Sequence, residues 1–352
     1  MEGRSTMAMT HIELSGSAYE IGRRQCEQLG VIAGYKYRKQ FHLHADQVPL
    51  RDLGPMVEWV GRNWPDQLEE VRGYADGLGV DFEYVFDIHF GAYVGTLLEQ
   101  ESCSNVGFRE SPNGPLLGGN LDDDPGYIVQ TTRRQGAYSH VGIVWPGWLS
   151  YWGGVNEHGL AVSGSSARVL KTAPPAPQKP PAFHSIYTAR LVVETCRDVP
   201  EAIELLKRPG IAGHGNHIMV DAAGNGVVVE THKPTGPYLA DRGWQPGGWI
   251  CCGNFFFSEF TVDEAAVSGF EGLADRANRI RIMQQFGRRS EVEGGSIELL
   301  KELCATHDGP GRGLGGICNP NNVCSVISVP RERRVLVAER FPCVNEYVEY
   351  AL

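Results

Sequence analysis

The strongest constraint on the fold is a change of pattern near residue 100. Before it, apolar side chains recur with helical spacing; after it, short alternating segments and many glycines are typical of strands and tight turns. The order along the chain is helices, strands, two helices, strands, helices and strands. Because helices and strands do not alternate one by one, a parallel β-α-β fold is not expected. The order predicts sheets covered by helices, and a four-layer α/β/β/α sandwich fits it.

The individual segments follow from periodicity and from turn residues. Helices are predicted over residues 17–30, 57–64, 67–77, 82–89, 183–196, 199–207, 272–286 and 297–304. Strands are predicted over residues 104–108, 115–121, 127–132, 140–145, 148–152, 160–165, 217–221, 226–230, 249–254, 323–329 and 335–340. Pro112-Asn113-Gly114 predicts the turn of the first hairpin, and the proline-rich stretch 172–181 predicts an exposed loop.

Charge and cysteine usage exclude several classes of protein. The chain has 352 residues and a formal net charge of -10, which argues against nucleic acid as the main partner because phosphate binding favours a basic surface. No secretory signal pattern follows the first residues and no apolar run is long enough to span a membrane, so a cytoplasmic protein is expected. The nine cysteines include no Cys-x-x-Cys pair, and most are expected to be buried thiols.

One cysteine stands where the helical region gives way to the strands. Glu101-Ser102-Cys103-Ser104-Asn105 places a thiol at the start of a predicted strand, and strand ends commonly border a cleft. Pro112-Asn113-Gly114 and Gly118-Gly119-Asn120-Leu121-Asp122 follow it. By residue type alone, Cys103 could equally be a buried strand cysteine.

These motifs together resemble the acyl-coenzyme A:6-aminopenicillanic acid acyltransferase family, whose members are N-terminal-nucleophile hydrolases related to penicillin V acylases and bile salt hydrolases. The resemblance extends over nearly the whole chain, because further motifs occur in the family's order. They are the segments 17–30, 74–80, 154–162, 253–255, 276–279, 316–319 and 323–337. The resemblance implies the four-layer α/β/β/α N-terminal-nucleophile hydrolase sandwich, made as one precursor and cleaved into residues 1–102 and 103–352, which together form one domain.

The resemblance also implies the chemistry of the site. The Cys103 thiol would attack the Ser102 carbonyl carbon, and hydrolysis of the resulting thioester would free the α-amino group of Cys103. An α-amine has an ordinary pKa of about 7.7–8.0 and can act as the general base for its own thiol. By alignment with the family, Asn254 is expected to stabilise the oxyanion and Asp122 to orient the new amine.

Further assignments and three departures accompany this expectation. Ser165 and Ser166 lie where related acylases place a second oxyanion donor, and Arg276 or Arg279 could bind a substrate carboxylate. Ser102 stands where the family often has glycine, and this replacement is expected to slow cleavage. Asn319 replaces an arginine of the fungal acyltransferase and disfavours a penicillin-type substrate, and Phe255 replaces a histidine.

The resulting hypothesis is a self-cleaving amidohydrolase that removes an acyl or aminoacyl group from a small amine, amino acid or antibiotic-type intermediate. Acyl transfer from acyl-coenzyme A is the close alternative. An uncleaved ligand-binding relative is the second alternative, and a papain-like enzyme the third. The partners expected are a small-molecule amide and the two fragments of the precursor, with no nucleic acid or membrane and with a homo-oligomer left open.

No cofactor or metal is expected from sequence motifs. His214 and His217 have no carboxylate or cysteine at a recognised ligand spacing. The glycine-rich stretch 309–316 lacks the Gly-Lys-Ser/Thr of a phosphate loop, and the acidic run 122–124 lacks a calcium-loop pattern.

Overall fold

A computed structural model describes residues 8–41, 52–90, 102–166, 185–208, 214–232, 236–254, 257 and 270–352. The expected loop at 172–181 and Phe255 lie outside these residues. The helices are α1 (Ala18–Phe41), α2 (Gly54–Asn63), α3 (Pro65–Leu78), α4 (Phe82–Phe90), α5 (Ser185–Thr195), α6 (Val199–Leu206), α7 (Phe270–Glu293) and α8 (Ile297–Cys304).

The strands form two sheets. Their bounds are β1 (His11–Gly16), β2 (Ser102–Phe108), β3 (Leu116–Asp122), β4 (Ile128–Arg134), β5 (His140–Val144), β6 (Gly153–Asn156), β7 (Leu160–Ser166), β8 (His214–Asp221), β9 (Gly226–His232), β10 (Gly236–Gly243), β11 (Trp249–Cys252), β12 (Asn322–Val329), β13 (Arg334–Glu339) and β14 (Val348–Ala351). One sheet has the order β1-β4-β5-β6-β7-β8-β9-β10, and the other has the order β11-β2-β3-β12-β13-β14. The pairing of β1 with β4 is parallel, and the remaining pairs are antiparallel.

The two sheets stack face to face, and helices cover both outer faces. Helices α7 and α8 pack on the six-stranded sheet, whereas α1, α5 and α6 pack on the eight-stranded sheet. Alternate side chains of β2 point to opposite faces of its sheet. Val106 and Phe108 pack against α7 and α8, whereas Asn105 hydrogen-bonds to the other sheet. The predicted four-layer α/β/β/α sandwich is confirmed.

Helices α1 and α3 approach each other unusually closely through two glycines. A Cβ atom on Gly22 would lie 2.2 Å from the Glu70 carbonyl oxygen, and one on Gly77 would lie 2.6 Å from the Arg23 carbonyl oxygen. Only glycine fits these positions, which accounts for the glycines in the two N-terminal motifs. The motifs are therefore packing features.

A buried charge cluster, formed by Glu70, Arg134, Arg190 and Glu194, joins the helices before Cys103 to the chain after it. Arg190 Nη2 lies 3.1 Å from Glu70 Oε1, and Arg190 Nε lies 2.5 Å from Glu194 Oε1. Arg134 Nη2 lies 3.2 Å from the other Glu194 oxygen. Breaking one member would leave uncompensated buried charge, so the cluster holds the two parts of the chain together.

Three details of the secondary structure differ from the sequence predictions. The strand predicted over 148–152 is wrong, because Pro146 and Gly147 turn the chain there and the next strand begins at Gly153. Strands β1, β6, β10 and β14 were not predicted. Helices α1 and α7 extend beyond their predicted ends at residues 30 and 286, to Phe41 and Glu293.

Candidate active site

Cys103 lies near the N-terminal end of β2 with its side chain between the two sheets. The residue is 1% exposed, and its thiol accepts a hydrogen bond from the Trp152 indole N–H, with Nε1 to Sγ at 3.2 Å. The same indole N–H also points at the Gly164 carbonyl oxygen, at 3.1 Å. The indole thus holds the sulfur against the edge of β7.

Asn254 contacts the backbone of Cys103. The Cys103 N–H donates to Asn254 Oδ1 at 3.0 Å, and Asn254 Nδ2 donates to the Ser166 carbonyl oxygen at 2.9 Å. Asn254 lies two residues after the end of β11, whose pairing with β2 brings it beside Cys103 although 151 positions separate them. The amide oxygen is therefore positioned to hold the nitrogen of Cys103.

Ser165 supports this arrangement from one residue away. Its hydroxyl donates to the Gly253 carbonyl oxygen at 2.6 Å, and Asn216 Nδ2 donates to the same oxygen at 2.8 Å. These two bonds fix the peptide that precedes Asn254. Ser165 thus acts on the backbone next to Asn254, and Ser166 contributes its carbonyl group.

Asp122 lies at the end of β3, in register with Ser102, and its side chain faces the helix layer. Asp122 Oδ2 accepts hydrogen bonds from Asn319 Nδ2 at 2.6 Å and from Arg279 Nη1 at 3.2 Å. Burial raises the pKa of Asp122 to about 7, although Arg279 and Asn319 oppose the rise. Its second oxygen, Oδ1, is buried and accepts no hydrogen bond from the described residues.

The thiol of Cys103 and the carboxyl group of Asp122 therefore lie on opposite faces of the same sheet. What the two share is the backbone at the start of β2, where the Ser102–Cys103 peptide bond lies. A buried carboxyl group whose pKa is shifted, next to a strand end that carries a thiol, is typical of a functional site.

The candidate residues divide into those brought together and those not. Arg279 and Asn319 meet at Asp122, so both contact a protein carboxyl group. Arg276 lies one turn earlier on α7 with a buried side chain. Asn120, in the same motif as Asp122, instead donates to the Cys304 and Ile317 carbonyl oxygens and ties down α8.

Two contributors were missed by the sequence analysis. Trp152 had no role in the predicted site, and its N–H bond to the thiol leaves no signal in the sequence. Asn105 joins the sheets, because its Nδ2 donates to Gly164 and its Oδ1 accepts from Ser163. Its place two residues after Cys103, on the same face of β2, was the available clue.

Comparison with known families agrees with the motifs. Residues 110–259 match the family model described as acyl-coenzyme A:6-aminopenicillanic acid acyl-transferase. The resemblance to this family is confirmed. This match covers less than half of the chain, begins after Cys103 and includes Asp122 and Asn254. No curated protein sequence matches the chain.

Solved structures give remote similarities. An N-acylethanolamine-hydrolyzing acid amidase ortholog from Caenorhabditis elegans is 17% identical, with a TM-score of 0.46, over 65% of this chain and 93% of that one. A mutant conjugated bile acid hydrolase from Clostridium perfringens is 14% identical, with a TM-score of 0.44, over 71% and 97%. Penicillin V acylase from Agrobacterium tumefaciens is 11% identical, with a TM-score of 0.42, over 67% and 83%.

The helices within the described residues were also compared with the requirements of a membrane span. None of them is both long and apolar enough to cross a bilayer.

Proposed function

We propose that the protein is a self-cleaving amidohydrolase that removes an acyl or aminoacyl group from a small amine, amino acid or antibiotic-type intermediate. Cys103 is the nucleophile. The observation that carries the proposal is the double hold on this residue, in which Asn254 binds its nitrogen and Trp152 binds its sulfur. A structural cysteine in a strand needs no hydrogen bond to its sulfur.

The first step severs the Ser102–Cys103 peptide bond. The Cys103 sulfur adds to the Ser102 carbonyl carbon, the C–N bond breaks, and the nitrogen takes the thiol's proton to become an amine. Water then hydrolyses the thioester, which leaves a carboxyl group on Ser102 and regenerates the thiol. The products are residues 1–102 and residues 103–352.

Turnover uses the same sulfur with the new amine as its base. The amine accepts the thiol proton, and the thiolate adds to the substrate carbonyl carbon. Collapse of the tetrahedral oxyanion expels the substrate's amine, which takes the proton back, and leaves the acyl group on Cys103. Water hydrolyses this thioester.

Asn254 is suited to serve both atoms of Cys103 at once. Its Oδ1 already accepts from the nitrogen that becomes the α-amine. Its Nδ2 donates to the Ser166 carbonyl oxygen and lies 3.4 Å from the Ser166 hydroxyl oxygen, and this amide nitrogen is the proposed donor to the oxyanion.

Asp122 is the proposed partner of the new amino group. Its Oδ1 accepts no hydrogen bond from the described residues, and its register position is opposite the bond to be cut. A cationic amine beside this carboxyl group would favour the ionised carboxylate, and the carboxylate would in turn hold the amine.

The two fragments are expected to stay together after cleavage. Strand β1 pairs with β4 along six residue pairs, and the buried charge cluster joins α3 to α5. Separation would expose both, so the fragments should form one domain.

Purified protein on a denaturing gel, followed by N-terminal sequencing, tests the cleavage. The proposal expects two bands, one of which begins at Cys103, and a single intact band for Cys103→Ala. Cys196→Ala, which alters another buried cysteine, is the control and should cleave normally. One intact band from the natural sequence, with no labelling of Cys103 by thiol reagents, would favour the uncleaved ligand-binding alternative.

Substrate chemistry is tested on cleaved protein. A screen of N-acyl and N-aminoacyl amines and amino acids should give hydrolysis that Cys103→Ala lacks. The family description favours one second candidate, an acyltransferase that takes its acyl group from acyl-coenzyme A. Mass spectrometry of the acyl-enzyme, with and without an added amine, separates the two by measuring whether water or the amine receives the acyl group.

A further inference from the structure

A second group of reactive side chains lies outside the candidate active site. A ring nitrogen of His307 and the sulfur atoms of Cys318 and Cys343 all lie within 4.8 Å of one another. The two sulfur atoms are 3.5 Å apart. Cys318 is buried, while His307 and Cys343 are partly exposed.

Three separate segments build this cluster. His307 follows α8, Cys318 follows the glycine-rich stretch, and Cys343 follows β13. The Cys318 N–H donates to the Thr306 carbonyl oxygen at 2.9 Å, which fixes Cys318 beside the residue before His307. A Cβ atom on Gly316 would lie 2.8 Å from the backbone nitrogen of Asp308, so glycine is required for this approach.

The geometry is that of a set of metal ligands. In tetrahedral zinc sites the metal lies about 2.3 Å from sulfur and about 2.0–2.1 Å from imidazole nitrogen, which places neighbouring ligand atoms roughly 3.5–3.8 Å apart. The observed spacing needs only small side-chain movements to reach these values. In addition, His307 Nε2 is buried and has no hydrogen-bond partner among the described residues.

We propose that His307, Cys318 and Cys343 bind a thiophilic divalent cation of the Zn²⁺ class, with water as the fourth ligand. Binding releases one proton from each thiol, so the two thiolates balance the charge of the cation. Sulfur and imidazole ligands select such a metal over Mg²⁺ or Ca²⁺, which prefer oxygen.

The surroundings are compatible with entry and with an open coordination position. Cys343 also lines an open surface groove of about 450 Å³, together with Glu298, Glu302 and Glu346. Arg312 Nη2 lies 3.3 Å from the Cys343 sulfur and stacks over Phe341. A guanidinium at this distance can donate a hydrogen bond to a metal-bound thiolate.

The bound cation would join the C-terminal segment to the loop of the candidate active site. Cys318 directly precedes Asn319, whose amide holds Asp122. A metal at Cys318 would therefore restrict Asn319 from outside the site.

Metal binding to the full-length Cys103→Ala protein, kept reduced, tests the proposal without reference to cleavage or turnover. Competition with a chromophoric chelator should give one equivalent of Zn²⁺. His307→Ala, Cys318→Ala and Cys343→Ala should each lower the affinity at least tenfold. Co²⁺ in place of Zn²⁺ should give sulfur-to-cobalt charge-transfer absorption, which the two cysteine variants weaken.

Matched controls are Cys196→Ala and His158→Ala, which remove a cysteine and a histidine elsewhere in the chain. Circular dichroism of every variant identifies those that fail to fold, and Co²⁺ absorption on the folded ones supplies the second measurement. The proposal is overturned if the natural cluster takes up no Zn²⁺ when reduced, or if the controls lose as much affinity as the cluster variants. A Cys318–Cys343 disulfide in the isolated protein, with no Zn²⁺ uptake after reduction, would also overturn it.

Discussion

Glu194 and Asp122 are buried to the same extent, yet their environments have opposite effects. Burial alone would raise the pKa of Glu194, but Arg190 and Arg134 together lower it to about 2. Burial raises the pKa of Asp122 to about 7, because one guanidinium and one amide do not offset it. Two arginines make a carboxylate a permanent structural ion, whereas one arginine leaves a carboxyl group able to change its charge near neutral pH.

The largest expected effect is on the structural side of this comparison. Arg190→Met leaves Glu70 and Glu194 without their shared guanidinium, and the free energy of unfolding should fall by roughly 3–5 kcal/mol. Urea denaturation of the Cys103→Ala protein measures the loss. Arg197→Met, which breaks an exposed pair with Glu201, is the control and should cost at most about 1 kcal/mol. Equal losses would contradict the distinction.

The pH dependence of stability comes next. Asp122 ionises in the unfolded chain above its ordinary pKa of 3.8 but stays protonated in the folded chain up to about pH 7. Its contribution to the free energy of unfolding therefore falls as pH rises from about 4 to 7, by up to about 4 kcal/mol.

Urea denaturation across this range should reveal that fall in Cys103→Ala as a difference from the same protein with Asp122→Asn. Parallel profiles for the two proteins would mean that Asp122 is ionised throughout, like Glu194.

Loss of charge at Asp122 should affect function more than stability. Asp122→Asn keeps the size of the side chain but cannot hold a cationic amine as a carboxylate does, and turnover by the cleaved protein should fall about 100-fold. The kcat/KM of the cleaved protein measures this. Glu194→Gln should behave in the opposite way, with lower stability and normal turnover of the folded fraction. A similar loss of turnover in Asp122→Asn and Glu194→Gln would contradict the distinction between a functional and a structural carboxyl group.

The smallest expected effect concerns the indole that holds the thiol. Trp152→Phe removes one N–H donor from Cys103, and kcat/KM should fall about tenfold, equivalent to about 1.4 kcal/mol. Trp249→Phe is the control, since its N–H bonds to Glu291 away from Cys103. An unchanged rate in Trp152→Phe would show that Asn254 alone positions Cys103.

The sequence predicted those parts of the molecule that depend on local signals. The Pro112-Asn113-Gly114 turn predicted the β2–β3 hairpin, and alternation predicted the β12–β13 hairpin. Aromatic residues with high strand propensity wrongly predicted a strand at 148–152, because the preceding Pro146-Gly147 pair turns the chain and Trp148 and Tyr151 are buried in the core.

Contacts between segments that are distant in the sequence could not be predicted from local patterns. The resemblance predicted that Asp122 and Asn254 belong with Cys103, but not that Arg279 and Asn319 converge on Asp122. The cluster of His307, Cys318 and Cys343 has no recognisable spacing, because each ligand comes from a different segment. Strand β1 is short and pairs with β4, more than 100 positions away, so no local pattern indicates its partner.

Strand β1 is made before Cys103 but completes a sheet whose other strands come after it. If the proposed cleavage occurs, the edge strand β1 in the larger fragment's sheet belongs to a separate polypeptide. Synthesis as a single chain then supplies one copy of strand β1 for every copy of Cys103. A gene split at the same bond would have to bring the two pieces together by diffusion, with the side of β4 open to any other strand in the meantime.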